Sequence, residues 1–404
     1  MAAPAPPRLP GRTVEVFRAF LGLGCRSFGG PIAHLGYFRE EFVARRGWID
    51  DARLADFVAL CQFLPGPTSS QVGIAIGCGR AGKIGGFAAW AGFTIPSAIL
   101  MLAFAWGVRS AGQLAHAGWV HGLKVAAVAV VAQAVRQMAV RLCPDAPRVA
   151  IASAAAVALL FAPGPWMQIA VLAGGALAGA AWGRWFRLEK RAGPESSAGY
   201  PPQRTGSSLA WLAAFAALLM ILPAFERTAA PTAAGVFNAF YRTGSLVFGG
   251  GHVVLPLLEQ ATVGRGWLDR DSFLAGYGLA QALPGPLFTF SAYLGALIPP
   301  GGIPGGLLAL SAIYLPTFLL LFGTLPHLER LRSAPRLRLL LSGVNASVVG
   351  LLAAAFCTPI WTSAITSVGR MCLMLAAFLG LELGGWRPWV VVLGCAAAGA
   401  AFLG

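Results

Sequence analysis

Apolar residues run along this chain in blocks, and the blocks fall into two length classes. Long runs lie near 84–106, 119–141, 149–163 and 165–183, then near 209–224, and again near 305–326, 339–360, 371–384 and 388–403. A helix needs about 20 apolar residues to cross a hydrocarbon core, so most of these runs suffice, while 149–163 and the last two are short. None alternates polar with apolar, and Ala, Leu and Gly outnumber β-branched residues, which predicts helices. The second class comprises stretches of 10–16 residues cut by Phe-Gly-Gly or Pro-Gly-Pro. They predict broken helices or hairpins, about 16–28 with 31–46 and 52–64 with 67–79, then 236–248 with 251–264 and 271–283 with 286–298. Ordinary surface-lying amphipathic helices would not need the same breakers at the same two places twice.

The breakers recur because the chain repeats. Val16-Phe17 and Ala19-Phe20 return as Val236-Phe237 and Ala239-Phe240, and Phe28-Gly29-Gly30 as Phe248-Gly249-Gly250, at an offset of 220. Glu40, Arg46, Gly47, Trp48 and Asp50 match Glu259, Arg265, Gly266, Trp267 and Asp269 at 219. Gln62 and Leu64-Pro65-Gly66-Pro67 match Gln281 and Leu283-Pro284-Gly285-Pro286 at 219, and Gly85-Gly86 and Pro96 match Gly305-Gly306 and Pro316 at 220. So many collinear matches define two copies of one unit. The expected organisation is an N-terminal copy over 1–183, a basic linker over 184–208, and an extra helix with the second copy over 209–404. The linker carries Arg184, Arg187, Lys190, Arg191 and Arg204 in a Pro/Gly/Ser-rich setting.

Composition confirms the solvent. Of 404 residues 57% are hydrophobic and 11% charged, against roughly 25% charged in soluble domains; mean hydropathy is +0.70. The net charge of +15 comes from Lys and Arg scattered in small groups between apolar runs, as in cytoplasmic loops of membrane proteins, and a nucleic-acid partner is not expected. The seven cysteines form no Cys-x-x-Cys pair, so neither a disulfide framework nor a zinc site is expected, and the N-terminus has no signal-peptide pattern.

Charge also orients the copies. The loop after the Pro96 span holds one Arg, Arg109, whereas its counterpart after the Pro316 span holds Arg330, Arg332, Arg336 and Arg338. The next loop reverses the bias, with Arg136, Arg141 and Arg148 in copy one against Arg370 in copy two. Equivalent loops with opposite Arg excess are predicted on opposite sides of the membrane, and the lone run near 209–224 supplies the odd crossing. The expected fold is therefore an all-α polytopic membrane protein of two inverted-topology repeats, each with broken-helix hairpins followed by transmembrane helices. The N-terminus, linker and Arg330–Arg338 loop are expected in the cytoplasm of a cell whose inner membrane holds the chain, and the loop at Gln113 outside it.

Inverted repeats with interrupted helices bind substrate near the midplane, where half-helix ends meet. Gly29, Gly30, Gly249 and Gly250 permit close backbone approach, and Pro31 and Pro67 restart helices whose N-termini attract anions. Behind the first Pro-Gly-Pro stand Thr68, Ser69, Ser70 and Gln71; behind the second stand Leu287, Phe288, Thr289 and Phe290. The candidate binding residues are Arg26, Ser27, Gly29, Gly30, Gln62, Gly66, Pro67, Thr68, Ser69 and Gln71, with Gly249, Gly250, His252, Gln281, Gly285 and Thr289 from copy two. Arg26 is the full positive charge beside the first break, or else an interfacial side chain that snorkels. Glu40, Glu259, His34 and Lys124 are candidates for ion coupling or support, against the alternatives of surface salt bridges, an interior histidine and snorkelling.

These ordered Phe-Gly-Gly and Pro-Gly-Pro pairs, with Gly47-Trp48 and Gly266-Trp267 between them, resemble the long, two-domain bacterial form of the chromate ion transporter family. The resemblance runs from about Val16 to the C-terminus. It implies export of chromate, a sulfate-like oxyanion, and resistance to it. Copy two departs at Gly251, where copy one has Pro31, and at Leu287, where copy one has Thr68. A transporter of another tetrahedral oxyanion such as sulfate, moving inward, is the alternative. An intramembrane metalloenzyme lacks H-E-x-x-H, and no G-x-x-x-x-G-K-[ST] loop is present to bind nucleotide. A channel fits the inverted duplication less well than alternating access does. No cofactor or metal is expected; the expected partners are the oxyanion and lipid, with a homodimer left open.

Overall fold

A computed structural model describes residues 10–110, 118–162, 165–182, 208–225, 230–248, 253–327 and 335–402. Copy one comprises α1 (Pro10–Gly24), α2 (Gly30–Phe38), α3 (Asp51–Phe63), α4 (Thr68–Ser110), α5 (Gly118–Leu142), α6 (Ala146–Phe161) and α7 (Pro165–Trp182). After α8 (Ser208–Ile221), copy two repeats the series as α9 (Ala233–Leu246), α10 (Val254–Thr262), α11 (Arg270–Ala282), α12 (Phe290–Leu297), α13 (Gly302–Thr324), α14 (Pro335–Ala355), α15 (Val368–Glu382) and α16 (Pro388–Phe402). No strand occurs among the described residues. The linker at 183–207, the loop tips at 111–117 and 328–334, and Gly249, Gly250 and His252 lie outside them.

The repeated residues impose repeated backbone geometry. Asp50 and Asp269 cap α3 and α11, accepting from the N–H groups of Arg53 at 2.7 Å and Ser272 at 2.8 Å. Both helices end before Leu-Pro-Gly-Pro, where the residue preceding proline must leave the helical region. Leu64 and Leu283 accordingly sit at φ −88°, with ψ 142° and 148°. Gly47 and Gly266 adopt φ 57° and 71°, which folds Arg46 onto the face of Trp48 and Arg265 onto that of Trp267, at 5.3 and 5.0 Å. Within α4 the helix breaks at Ala81 and Gly82, the latter at φ 68°, ψ −164°. Gly301, 219 residues on, holds φ 71°, ψ −171° between α12 and α13. The two breaks are one feature used twice.

One difference between the copies has a local cause. The repeat offset falls from 220 to 219 between Phe28 and Arg46, so copy one has an extra residue there. A π-helical segment, Arg39–Arg45, lies inside that interval. Its wider turn absorbs one inserted residue without breaking the helix.

Packing interlocks the copies. α1 lies along α4 and α9 along α13, whereas the last two helices of each copy are exchanged. The pair α6 and α7 packs on α14, and the pair α15 and α16 packs on α5. Glycines permit the close approach: a Cβ on Gly122 would strike the backbone of Cys395, and one on Gly343 the backbone of Gly175.

Among the described residues, four helical stretches are long and apolar enough to cross a membrane: Thr68–Arg109, Gly118–Leu142, Gly302–His327 and Leu339–Thr358. Shorter apolar helices include Ala146–Phe161, Met167–Trp182, Ser208–Ala224 and Pro388–Phe402. The outer surface is apolar too, with Trp106, Phe161, Leu209, Met220 and Phe402 at least 75% exposed. Such exposure suits lipid and not water. The chain is an all-α polytopic membrane protein built from two inverted repeats.

Candidate functional site

Each Pro-Gly-Pro loop meets the opposite copy just before that copy's first break. The Gly66 N–H donates to the carbonyl of Val247 at 2.7 Å, and the Gly285 N–H donates to that of Ser27 at 2.9 Å. Ser27 and Val247 are themselves repeat partners, so each Pro-Gly-Pro loop is pinned to the opposite copy's first break. Neither loop has room for a side chain at its glycine. Gly66 holds φ 127°, and a Cβ there would lie 2.8 Å from both Gln71 Nε2 and Thr317 Oγ1. Gly285 holds φ 96°, with Ser97 Oγ at the same 2.8 Å. Ser97 and Thr317 each follow the proline inside their span, Pro96 and Pro316.

On the copy-one side this crossing is lined by buried polar groups. His34 Nε2 is 3.1 Å from the Ser27 carbonyl, and Nδ1 is 3.2 Å from Ser69 Oγ. A carbonyl can only accept, so in the neutral ring Nε2 carries the proton and Nδ1 accepts from the Ser69 hydroxyl. The Ser27 carbonyl thus receives two donors, one from each copy. Gln71 Nε2 donates to the Pro65 carbonyl at 2.8 Å, and Ser70 Oγ lies 3.5 Å from the Tyr314 hydroxyl. Three polar atoms here are buried with no partner among the described residues: Ser27 Oγ, Gln71 Oε1 and Thr317 Oγ1. Each such atom costs about 1–3 kcal/mol in a folded interior. Their clustering marks a place kept polar at the expense of stability.

The copy-two side is apolar. Val254 stands where copy one has His34, and Phe288 where it has Ser69. Phe290, in the place of Gln71, packs against Phe273 and Tyr277 at 5.1 and 5.8 Å. The Thr289 hydroxyl donates to the Pro286 carbonyl at 2.9 Å.

The charged candidates sit apart from this cluster. Arg26 is 55% exposed and pairs with Glu41 at 3.0 Å. Glu41 is buried and also accepts from Arg46 at 2.7 Å and Arg45 at 3.2 Å, while its neighbour Glu40 is exposed. Glu259 is buried and pairs with Arg270 at 3.3 Å. Lys124, 3% exposed, reaches Asp271 of copy two at 2.8 Å. Gln62 is exposed, whereas the amide nitrogen of Gln281 is buried. Gly29 and Gly30 hold φ 100° and 75° at the start of α2, Thr68 is half-buried, and Pro67 is buried.

Sequence reasoning did not single out Glu41, Ser97, Tyr314 or Thr317. The usable signal was the repeated proline, because Ser97 and Thr317 follow Pro96 and Pro316 at the same offset. Glu41 was hidden by the inserted residue, which turns the helix so that the acid adjacent to the aligned Glu40 faces inward.

The chromate transporter family matches this chain twice, over residues 14–180 and 234–400. The chain belongs to that family of membrane transporters. It is 30% identical over 369 residues to the chromate transport protein of Pseudomonas aeruginosa, covering 87% of this chain and 81% of that protein. It is 25% identical over 350 residues to the chromate transport protein of Cupriavidus metallidurans, covering 83% and 80%. An uncharacterized transporter of Bacillus subtilis, YwrA, is 36% identical over 128 residues, 31% of this chain and 68% of its own. No solved structure matches the chain.

Proposed function

We propose that this protein is a secondary transporter that exports chromate across the inner membrane by alternating access and so confers resistance to it. The observation that carries the reading is the one-sided polar crossing: Ser27, His34, Ser69, Gln71 and Thr317 gather at helix breaks inside an otherwise apolar protein. A tetrahedral dianion needs several neutral donors at once, because a lone buried charge pair is costly to desolvate. The hydroxyls of Thr68, Ser69 and Thr317 and the first turn of α4 provide them, with Gly66 leaving space for backbone approach. His34 links binding to a proton. Its protonation turns Nδ1 from acceptor to donor and releases the Ser69 hydroxyl hydrogen toward the anion. Arg26, held by Glu41, acts at the entrance as an attracting charge.

In orientation, the linker, the N-terminus and the Arg330–Arg338 loop are cytoplasmic, and the loop at Gln113 is periplasmic, following the reversed Arg excess of the copies. The relatives' names favour chromate over sulfate as substrate. The test is flux of labelled chromate and labelled sulfate by the purified chain in proteoliposomes, with and without a pH gradient. Saturable chromate flux that an imposed proton gradient accelerates is the expected result. Saturable sulfate flux with none for chromate would replace the substrate; flux of neither would end the transporter reading.

A further inference from the structure

The two repeats have the same parts but not the same contacts. In copy two, α11 lies along α5 and α16. Gly278 of α11 meets the carbonyl of Leu123 so closely that a Cβ would stand 2.5 Å from it. Beside that contact Lys124 and Asp271 form their ion pair at 2.8 Å, with the Lys side chain 3% exposed. By repeat symmetry α3 should take the same seat against α14 and α7. Among the described residues it makes no comparable packing with either. Exposure follows the same division: Gln62 on α3 is exposed, and the amide nitrogen of its partner Gln281 on α11 is buried.

The missing contact also lacks the charges. Asn345 stands at the position equivalent to Lys124, and Ala52 at that equivalent to Asp271. Asn345 Oδ1 is buried with no partner among the described residues. The fold therefore does not require an ion pair at this station, since one copy does without it. A pair that joins the two copies, with its lysine buried and its aspartate half-exposed, and that exists on one face only, biases which face is closed.

We propose that Lys124 and Asp271 are the positioning pair that holds one face of the transport path shut, and that the opposite-facing state forms when α11 leaves α5 and α3 takes the equivalent seat on α14. This rests on the alternating-access reading given above. On the proposed orientation the shut face is periplasmic, because Lys124 lies in the turns of α5 that follow the loop at Gln113. The open face has no pair to lock it, so the state described here is the resting one. The anion's contribution is to draw α3 onto α14 long enough for the Lys124–Asp271 pair to part.

A cross-link reads the second state directly. Ala59 and Val344 are the repeat equivalents of Gly278 and Leu123. The pair Ala59→Cys and Val344→Cys is placed in a full-length chain whose exposed Cys25, Cys357 and Cys372 are serine. In liposomes without substrate this pair should cross-link slowly. Adding Lys124→Met or Asp271→Asn should speed it by roughly tenfold, the shift expected when the contact of a buried lysine with its partner is lost. The charge exchange Lys124→Asp with Asp271→Lys should return the rate to within a few-fold of the parent, which a merely structural role would not. Unchanged cross-linking in both single variants, or no recovery on exchange, overturns the proposal. Because the readout needs no anion, absence of chromate flux alongside the expected cross-linking would reject the substrate and leave the latch standing.

Discussion

The Pro-Gly-Pro loops at Gly66 and Gly285 share a backbone and a facing hydroxyl, Thr317 or Ser97, and differ in the side chains that follow them. Both are cut by the same prolines, both glycines hold positive φ, and each N–H is bonded to the other copy's first break. Copy one carries His34, Ser69 and Gln71 where copy two carries Val254, Phe288 and Phe290; Gln71 lies against Gly66, and His34 shares the Ser27 carbonyl with the Gly285 N–H. The lesson is a division of labour between backbone and side chains. Residues kept in both copies are those the architecture requires, and residues that differ have been released to do something else. In this protein the polar load has gone to copy one, and copy two supplies an aromatic wall. The same division appears at α5 and α14, which share their close-packing glycines and differ at Lys124 and Asn345.

Residues of the first kind should fail alike in both copies. Gly122→Leu and Gly343→Leu each drive a side chain into the backbone of a facing helix. Backbone cannot step aside as a side-chain tip can, so the cost lies at or beyond the ~3 kcal/mol upper end of ordinary overpacking. The expected result is loss of the monodisperse peak in detergent for both variants. Survival of one and not the other would mean that the exchanged helix pairs α6–α7 and α15–α16 are not equivalent in holding the copies together.

Residues of the second kind should fail in one copy only. Ser69→Ala removes the donor that His34 receives, and Thr68→Ala removes a hydroxyl at the start of α4. A hydrogen bond to a charged ligand contributes about 1.5–3 kcal/mol, so each should raise the KM for chromate by ~10-fold or more; Thr68→Ala should leave thermal stability little changed, and Ser69→Ala, which strips buried His34 Nδ1 of its donor, should also cost about 1–3 kcal/mol of it. Thr289→Ala in copy two removes a hydroxyl already committed to the Pro286 carbonyl, and KM should move less than about twofold on that account. Equal losses from both copies would make the polar asymmetry irrelevant to binding.

Much of this architecture was legible before any coordinates. Two copies, the hairpins and every long span follow from apolar run length and from breakers that recur at a fixed offset, because proline and glycine act locally and leave a direct trace. Gly82 and Gly301 were less visible, since their shared φ is a property of backbone and the flanking residues differ. The candidate site was legible in outline at Gly66, Ser69 and His34. What sequence could not give was partnership. That Arg26 pairs with Glu41, that Lys124 crosses to Asp271, and that Thr317 looks onto Gly66 depend on which helices meet. Those meetings join residues up to hundreds of positions apart, and no local spacing encodes them. The π-helical segment adds a second obstacle, because one inserted residue moves the inward-facing acid from the aligned position to the next.

The smallest effect expected is also the cleanest comparison. Asp50 and Asp269 perform one task at equivalent helix starts, each accepting from the N–H three residues on at 2.7 and 2.8 Å. Loss of such a cap costs about 1 kcal/mol, so Asp50→Ala and Asp269→Ala should each lower the melting temperature slightly. Their surroundings differ, however. Asp269 heads α11, which is seated on α5 and held by the Lys124–Asp271 pair two residues away; Asp50 heads α3, which has no such seat. A frayed first turn on α11 disturbs that pair, whereas one on α3 disturbs an exposed pair within copy one, Arg39 with Asp51 at 2.6 Å, which does not join the copies. Asp269→Ala should therefore also quicken cross-linking between cysteines at 59 and 344, and Asp50→Ala should not. Measured side by side, equal melting shifts with unequal cross-linking would separate what the repeat shares from what its two halves have made different.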